Sequence, residues 1–245
     1  MADFVYPFPP LTTGVLLRRY KRFFADIELA SGEVITAHCA NTGPMTGVCT
    51  PGSWVQVSRS DNPKRKLAYT LETIQVNDGP PTWVGINTSL PNRVVKQMLA
   101  TRSLPLDYGE VRPEVRFGID NRSRVDFWLA GVGDEPPLFL EVKNTTWAQD
   151  GMALFPDTVT TRGQKHLREL MAVLPEARAV MLYFINRSDC LRFAPGDRAD
   201  PAYGKLLRTA VASGVQVLPC RFEVTSTGLR YLGLADFCSW QPAAG

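Results

Sequence analysis

The sequence predicts a two-domain protein of the α+β or α/β class. It has an N-terminal five-stranded β-barrel and a C-terminal mixed sheet with flanking helices. Short strand-like runs without a convincing helix fill the first third of the 245 residues. The turn-rich segment 77–81 follows, and beyond it helical and strand-like periodicities alternate. We therefore assign residues 1–82 to the barrel and 83–245 to the second domain.

The first domain contains five short runs rich in β-branched and aromatic residues, separated by turn-forming Gly, Pro, Asn and Asp. These runs cover residues 14–18, 22–29, 33–37, 53–58 and 67–76. Five short strands favour a small closed barrel. The OB-fold is the five-stranded example and commonly binds oligonucleotides, and an SH3-like barrel fits the pattern almost as well.

The second domain alternates between two periodicities. Apolar residues recur at helical spacing in 91–100, 162–174 and 201–212, and Thr160 or Thr161 can cap the second helix. Strand-like runs cover 114–117, 123–130, 138–145, 179–185 and 215–218. The run 179–185 is apolar throughout, which is typical of a strand buried on both faces.

Composition excludes several classes of protein. With 44% hydrophobic and 21% charged residues the chain is not disordered, and its longest apolar run, 179–185, is far shorter than the roughly 20 residues of a membrane span. The residues after Met1 lack the features of a secretory signal, and an odd number of cysteines, five, indicates reduced thiols. We expect a cytoplasmic protein without membrane partners.

The net charge of +3 does not distinguish between classes of function, but the positively charged residues are clustered. Basic clusters beside aromatic residues suit a polyanion such as nucleic acid, whereas two solvated strand ends would give the same pattern. The candidate nucleic-acid-binding residues are Arg18, Arg19, Lys21, Arg22, Lys64, Arg65 and Lys66, with Lys165 at the start of a predicted helix.

The most informative stretch is the predicted hairpin formed by 123–130 and 138–145. A loop centred between Gly133 and Asp134 places Asp126 opposite Glu141, with Cβ atoms about 5 Å apart. Two such carboxylates need a proton, a cation or a metal to coexist, and Lys143 lies on the same face as Glu141. The pattern indicates a Mg²⁺ site, although an ordinary amphipathic hairpin with a surface acid–lysine pair would also produce it.

Two further residues are candidates for the same site. Glu114 precedes Asp126 by twelve residues and can supply a third carboxylate. Gln164 lies in the first turn of the helix 162–174, where basic neighbours suit phosphate, or where the face is simply solvated. The sequence contains no P-loop, dinucleotide-binding or G-x-S-x-G pattern, which argues against those classes of enzyme.

Two resemblances strengthen this interpretation. An Asp followed by E-x-K on adjacent strands, and then by a helix with Gln or Lys, resembles the PD-(D/E)XK nuclease superfamily. The chain as a whole resembles the bacterial and archaeal sugar fermentation stimulation protein A family. That second resemblance is carried by R-Y-K-R-F (19–23), T-A-H-C-A-N-T-G (36–43), N-P-K-R-K-L (62–67), Y-T-L-E (69–72), N-T-x-L-P-N (87–92), S-R-V-D-F (123–127), E-V-K-N-T-T (141–146) and F-P-D-T-V-T-x-R-G-Q-K-H-L-R-E-L (155–170).

The resemblance implies an OB-like barrel, a nuclease-like second domain and DNA binding without strong sequence preference. By motif position, Asp126 and Glu141 would hold Mg²⁺ or Mn²⁺, and Lys143 would orient or activate the water. Glu114 and Gln164 would be further catalytic residues. The superfamily's usual proline before the first acid is replaced by Val125.

Two functions remain open at this point. The first is metal-dependent hydrolysis of phosphodiester bonds in DNA or RNA. The alternative is a non-catalytic, largely nonspecific DNA-binding regulator linked to sugar-utilisation genes, and a small-molecule sensor is supported only by the family's name. The oligomeric state, including a homodimer, also stays open.

Overall fold

The computed structural model describes residues 5–118, 123–174 and 176–240. Strands and helices alternate along these residues much as the periodicities predict. In chain order they are β1 (Val5–Pro7), β2 (Leu11–Tyr20), β3 (Phe24–Leu29), β4 (Val34–Cys39), β5 (Trp54–Arg59), β6 (Tyr69–Val76), β7 (Thr82–Gly85), α1 (Leu90–Ala100), β8 (Val111–Phe117), β9 (Ser123–Leu129), β10 (Leu138–Thr145), β11 (Ala148–Gln149), β12 (Met152–Phe155), α2 (Thr161–Val173), β13 (Arg178–Ile185), β14 (Arg192–Pro195), α3 (Pro201–Ser213), β15 (Gln216–Val224), β16 (Gly228–Leu234) and β17 (Asp236–Phe237).

The N-terminal barrel is closed by five strands. The antiparallel order β4-β3-β2-β5-β6 is completed by a parallel pairing of β4 with β6, which is the connectivity of an OB-fold and not of an SH3-like barrel. Leu16, Ile27 and Leu71 fill its interior. A Cβ at Gly14 would lie 2.7 Å from the carbonyl oxygen of Glu28, so glycine allows β2 and β3 to approach closely.

The strands on either side of the barrel, β1 and β7, show where the chain passes from one sheet to the other. Strand β7 still pairs with β6, so the barrel sheet extends beyond the predicted boundary at residue 82 to Gly85. Strand β1 pairs with β16, which places the first described residues in the sheet of the second domain. The division into 1–82 and 83–245 stays a prediction, and these two pairings show where each sheet includes residues from the other side of it. A three-residue strand carries no periodicity that could have revealed its partner.

The second domain is a mixed seven-stranded sheet between two helical layers. The strand order is β1-β16-β15-β13-β10-β9-β8, with β13 parallel to both β10 and β15. Helix α1 packs on one face against alternate residues such as Leu182, and α2 and α3 pack on the other against residues such as Met181. This burial of both faces explains the apolar run 179–185.

The helix ends follow the local sequence. Thr160 caps α2 by accepting a hydrogen bond from the Gly163 amide at 3.1 Å, and Asp200 caps α3 through the Tyr203 amide at 2.9 Å. Gly214, with φ +111°, ends α3. None of the helices in the described ranges is long and apolar enough to cross a membrane.

A buried arginine joins the segment after the barrel to the second domain. Arg187 pairs with Asp189 at 2.6 Å and with Asp78, in the predicted linker, at 3.1 Å, and it also donates to the carbonyl oxygen of Thr146. Because an unpaired buried guanidinium would be costly, these contacts hold the linker against the second domain. The sequence gives no indication of this ion pair.

A buried tyrosine pair offers a test of how the helical layer is held on the sheet. The hydroxyl groups of Tyr183 on β13 and Tyr203 on α3 lie 2.6 Å apart. Tyr183→Phe leaves the other hydroxyl without a partner, and we expect the free energy of unfolding to fall by about 1–3 kcal/mol. Chemical denaturation of both single variants and the double variant would measure this. The double variant should lose less stability than the sum of the two single losses. The control variant Tyr69→Phe, in the barrel, should change the free energy of unfolding little. If the two single losses simply add in the double variant, the proposed contact between the hydroxyl groups is contradicted.

Candidate functional site

Two carboxylates meet where the β9–β10 hairpin opens. The strands pair Leu138 with Leu129 and Leu140 with Phe127, which is the predicted register. The pairing stops before Asp126, whose Oδ2 accepts a hydrogen bond from the Val142 amide at 2.7 Å. The predicted register is therefore confirmed as far as the site, and it brings Asp126 beside Glu141.

Glu141 is a buried carboxylate with only one oxygen satisfied. Its side chain is 3% exposed, and Oε1 accepts from Lys143 Nζ at 2.7 Å and contacts His166 Nδ1. No hydrogen-bond partner for Oε2 occurs within the described residues. Burial raises the pKa of Glu141, but the Lys143 charge and the His166 hydrogen bond outweigh it and lower the pKa below its ordinary value.

Asp126 has the opposite balance. Burial, followed by repulsion from Glu141, raises the pKa of Asp126 to about 6. Hydrogen bonds from the Val142 amide and from Asn92 Nδ2 at 2.7 Å, together with the Lys143 charge, oppose the rise without cancelling it. At neutral pH the single positive charge of Lys143 therefore faces two carboxylates, and it does not balance both of them.

Asn92 is not among the sequence-based candidates for the site, and His166 is included only as one of the basic neighbours of Gln164 that suit phosphate. Asn92 lies in the first turns of α1, on the other side of the sheet from α2. His166 Nε2 accepts from Arg162 Nε at 3.4 Å, which assigns the ring proton to Nδ1, facing Glu141. Both residues lie in motifs that carry the family resemblance, and only this resemblance could have indicated from the sequence that they belong to the site.

Two of the predicted catalytic residues lie outside this cluster. Gln164 Nε2 donates to both carboxylate oxygens of Asp200, at 3.1 and 3.0 Å, and so supports the cap of α3. Glu114 is exposed, with φ +54°. Across residues 5–118, 123–174 and 176–240, no three acidic, His or Cys side chains form a group that could hold a metal ion. The predicted third carboxylate therefore does not join the pair.

The donor set nevertheless fits a divalent cation. Oxygen ligands suit Mg²⁺, which keeps several waters and needs only one or two carboxylates from the protein. Asp126 and the unpartnered Oε2 of Glu141 can supply them.

The predicted nucleic-acid-binding cations fall into two groups. Arg18 pairs with Asp26 at 2.8 Å, Arg19 donates to the carbonyl oxygens of Asn41 and Gly43, and Lys165 lies 3.5 Å from Glu169. Arg65 donates to Thr70 Oγ1 but is otherwise exposed. Within the part of the chain that is described, no ion pair involves Lys21, Arg22, Lys64 or Lys66.

Comparisons with known proteins agree with this architecture. The model of the "SfsA N-terminal OB domain" matches residues 17–86, and that of the "Sugar fermentation stimulation protein RE domain" matches residues 89–228. Sugar fermentation stimulation protein homologues from Trichormus variabilis and Synechococcus elongatus are 66% and 64% identical, each over 96% of this chain and 98% of its own. The solved structure of Pyrococcus furiosus SfsA in complex with Ca²⁺ has a TM-score of 0.84 and 23% identity, and covers 95% of this chain and 97% of that one.

The raised pKa of Asp126 predicts a pH-dependent stability. A carboxyl group whose pKa rises from 3.8 to about 6 on folding stabilises the fold fully below pH 3.8, and this contribution is lost as the pH rises through 6. In EDTA, Asp126→Asn should therefore gain about 2 kcal/mol relative to the wild type between pH 4 and pH 7. Urea denaturation across this range measures the difference. The matched control is Asp134→Asn, at the exposed tip of the same hairpin, which should show no such trend. A pH-independent difference for Asp126→Asn would contradict the assigned pKa.

Proposed function

The chain belongs to the sugar fermentation stimulation protein family, and from its buried carboxylate pair we propose that it is a divalent-metal-dependent nuclease. The substrate is nucleic acid, with DNA as the first candidate, and the reaction is hydrolysis of a phosphodiester bond. The observation that carries the proposal is Glu141 Oε2, a buried oxygen without a partner in the described residues, beside Asp126.

We propose that Asp126 and Glu141 hold Mg²⁺ or Mn²⁺. A bound divalent ion polarises a phosphoryl oxygen and lowers the pKa of a coordinated water. Pyrococcus furiosus SfsA was solved in complex with Ca²⁺, and this supports a divalent-ion site in this fold.

Lys143 has a separate role in this proposal. Its side chain is mostly buried, and its Nζ lies 2.7 Å from Oε1 of Glu141 and 3.3 Å from His166 Nδ1, so the positive charge is fixed beside the carboxylates. A fixed cation in a water-poor site stabilises the negative charge that develops on the phosphoryl oxygens during attack. It can also orient the attacking water by donating a hydrogen bond.

Asn92 and His166 act as positioning residues. Asn92 Nδ2 and the Val142 amide each donate to one oxygen of Asp126, which fixes the plane of that carboxylate. His166 contacts Oε1 of Glu141 and so holds this carboxylate in place, while Oε2 has no partner within the described residues. Partners of this kind orient metal-binding side chains in many proteins.

Nucleic acid binding is assigned to the barrel and its basic residues. OB-folds commonly bind oligonucleotides, and the exposed side chains of Lys21, Arg22, Lys64 and Lys66 are suitable for phosphate contacts. Binding of this kind is largely independent of sequence, because the contacts go to the backbone.

A non-catalytic DNA-binding regulator linked to sugar-utilisation genes is the second candidate. It is favoured by the absence of a third acid beside Asp126 and Glu141 in the described residues, and by the Lys143 charge already paired with Glu141. Both functions require nucleic acid binding, so cleavage is the property that separates them.

Glu141→Gln tests the proposed reaction. It keeps the size of the side chain but removes the charge that binds the metal, so we expect cleavage of labelled DNA or RNA in Mg²⁺ or Mn²⁺ to fall by at least about 100-fold. Binding measured in EDTA should stay within a few-fold of wild type. The matched control, Glu135→Gln in the exposed hairpin loop, should cleave normally. Equal cleavage by Glu141→Gln, or no cleavage by the wild type in any metal, would refute the nuclease.

Removing two exposed lysines tests the binding surface. Lys64→Ala combined with Lys66→Ala should weaken binding to all sequences, and should reduce the slope of log K against log salt by up to about 2. Fluorescence anisotropy over a range of salt concentrations measures this slope. Lys205→Ala, on α3, serves as the control with an unchanged slope. An unchanged slope in the double variant would move the binding surface elsewhere.

A further inference from the structure

A pocket of about 580 Å³ lies between the barrel and the second domain, apart from the carboxylate pair. Strands β4, β5 and β6 line one side, and β1 with the start of α1 lines the other. None of Asp126, Glu141 or Lys143 lines it. Its volume is in the range of small-ligand pockets, which run from about 300 to 1,000 Å³.

The floor of the pocket is a buried hydrogen-bond acceptor. Glu72 is 8% exposed and Asn87 is 3% exposed, and both line the pocket. Glu72 Oε1 accepts from Ser58 Oγ at 2.6 Å, and Oε2 accepts from Asn87 Nδ2 at 2.7 Å. Each carboxylate oxygen can accept two hydrogen bonds, so Glu72 is fixed in place and still has one acceptor position on each oxygen.

The mouth of the pocket is basic. Arg65 and Arg93 line it and are exposed, one from the barrel and one from α1. Arg65 gives one hydrogen bond to Thr70, and Arg93 gives two to Ser89. Each guanidinium has five N–H donors, so both can also bind a phosphate.

Aromatic side chains complete the lining. Tyr6 and Phe8 are half-buried and pack on the core of the second domain, so their rings are supported from behind. Supported aromatic rings are suitable surfaces for stacking a nucleobase. The pairing of β1 with β16 brings them here, which gives that three-residue strand a role in the pocket.

Four of the motifs that carry the family resemblance meet at this pocket. His38, Arg65, Glu72 and Asn87 come from separate motifs between residues 36 and 92. The proposed nuclease reaction uses none of these four side chains.

We propose that this pocket binds a guanine nucleotide. The two adjacent N–H donors on the Watson–Crick edge of guanine match the two free acceptor positions of Glu72. The base stacks on the aromatic side chains, and the phosphate binds at Arg65 and Arg93. The choice of a nucleotide rests on the proposed nucleic acid substrate, and the ligand is either a free nucleotide or one nucleotide of a single strand.

Calorimetric titration of the full chain in EDTA tests the pocket without involving the metal site. GMP, AMP, CMP and UMP are the probes, together with a (dT)9 oligonucleotide and the same strand with a central dG. We expect a preference for guanine in at least one of these two sets. Preference among the mononucleotides identifies a free nucleotide as the ligand, and preference only in the oligonucleotides identifies a nucleotide within a strand. No guanine preference in either set would overturn the proposal.

Variants assign the preference to the pocket. Glu72→Gln should weaken binding of the guanine probe about tenfold and remove the preference, because it loses the charge and one acceptor. Arg93→Ala, at an exposed site, should weaken all bases alike by several-fold, and it keeps the test valid if Glu72→Gln does not fold. Arg198→Ala, outside the pocket, is the matched control. Wild-type guanine binding by a folded Glu72→Gln or by Arg93→Ala would refute the assignment.

The outcome is independent of the proposed reaction. Glu141→Gln should bind the guanine probe as the wild type does, because Glu141 does not line the pocket. If the protein does not cleave nucleic acid but prefers guanine, the proposed nuclease reaction is refuted and the proposed pocket is supported. If it cleaves but shows no guanine preference, only the proposed pocket is refuted.

Discussion

The second domain is organised around one buried negative charge, that of Glu141. A carboxylate at this depth is costly unless charges and hydrogen bonds compensate for it. The compensation comes from two elements, since Lys143 lies on the same strand and His166 comes from α2. The position of α2 on the sheet is therefore coupled to the electrostatics of the site. Only one carboxylate oxygen is compensated within the described residues, and this incomplete balance distinguishes the site from a structural ion pair.

The hairpin shows why this charge faces another carboxylate. Strands β9 and β10 pair only as far as Leu140 and Phe127, and the Val142 amide then bonds to the side chain of Asp126. Where the hairpin opens, the Asp126 carboxylate lies between the two strands. Burial and repulsion from Glu141 raise its pKa to about 6. Two neighbouring carboxyl groups with pKa values shifted in opposite directions are typical of functional sites.

Local patterns predicted the three helices, most of the longer strands and the register of β9 with β10. They did not predict β16, the short strands or the contacts between distant segments. Alternation along β9 and β10 and the centre of their loop were sufficient to place Asp126 opposite Glu141. Gln164 could not be assigned in this way, because its partner Asp200 is fixed by the packing of α3 against α2. The same limit applies to β1, to the small sheet β11-β12-β14-β17 and to the contact of Asn92 with Asp126, all of which depend on long-range packing.

The central claim is that Asp126 and Glu141 together bind a divalent cation. Anomalous diffraction from crystals grown with Mn²⁺ tests it most directly, because the signal identifies the metal independently of any activity. The account predicts a peak bonded to the Asp126 carboxylate and to Oε2 of Glu141, with Lys143 and His166 still at Oε1. A peak bonded elsewhere, or no peak at this pair at saturating Mn²⁺ and pH 8, would contradict the account.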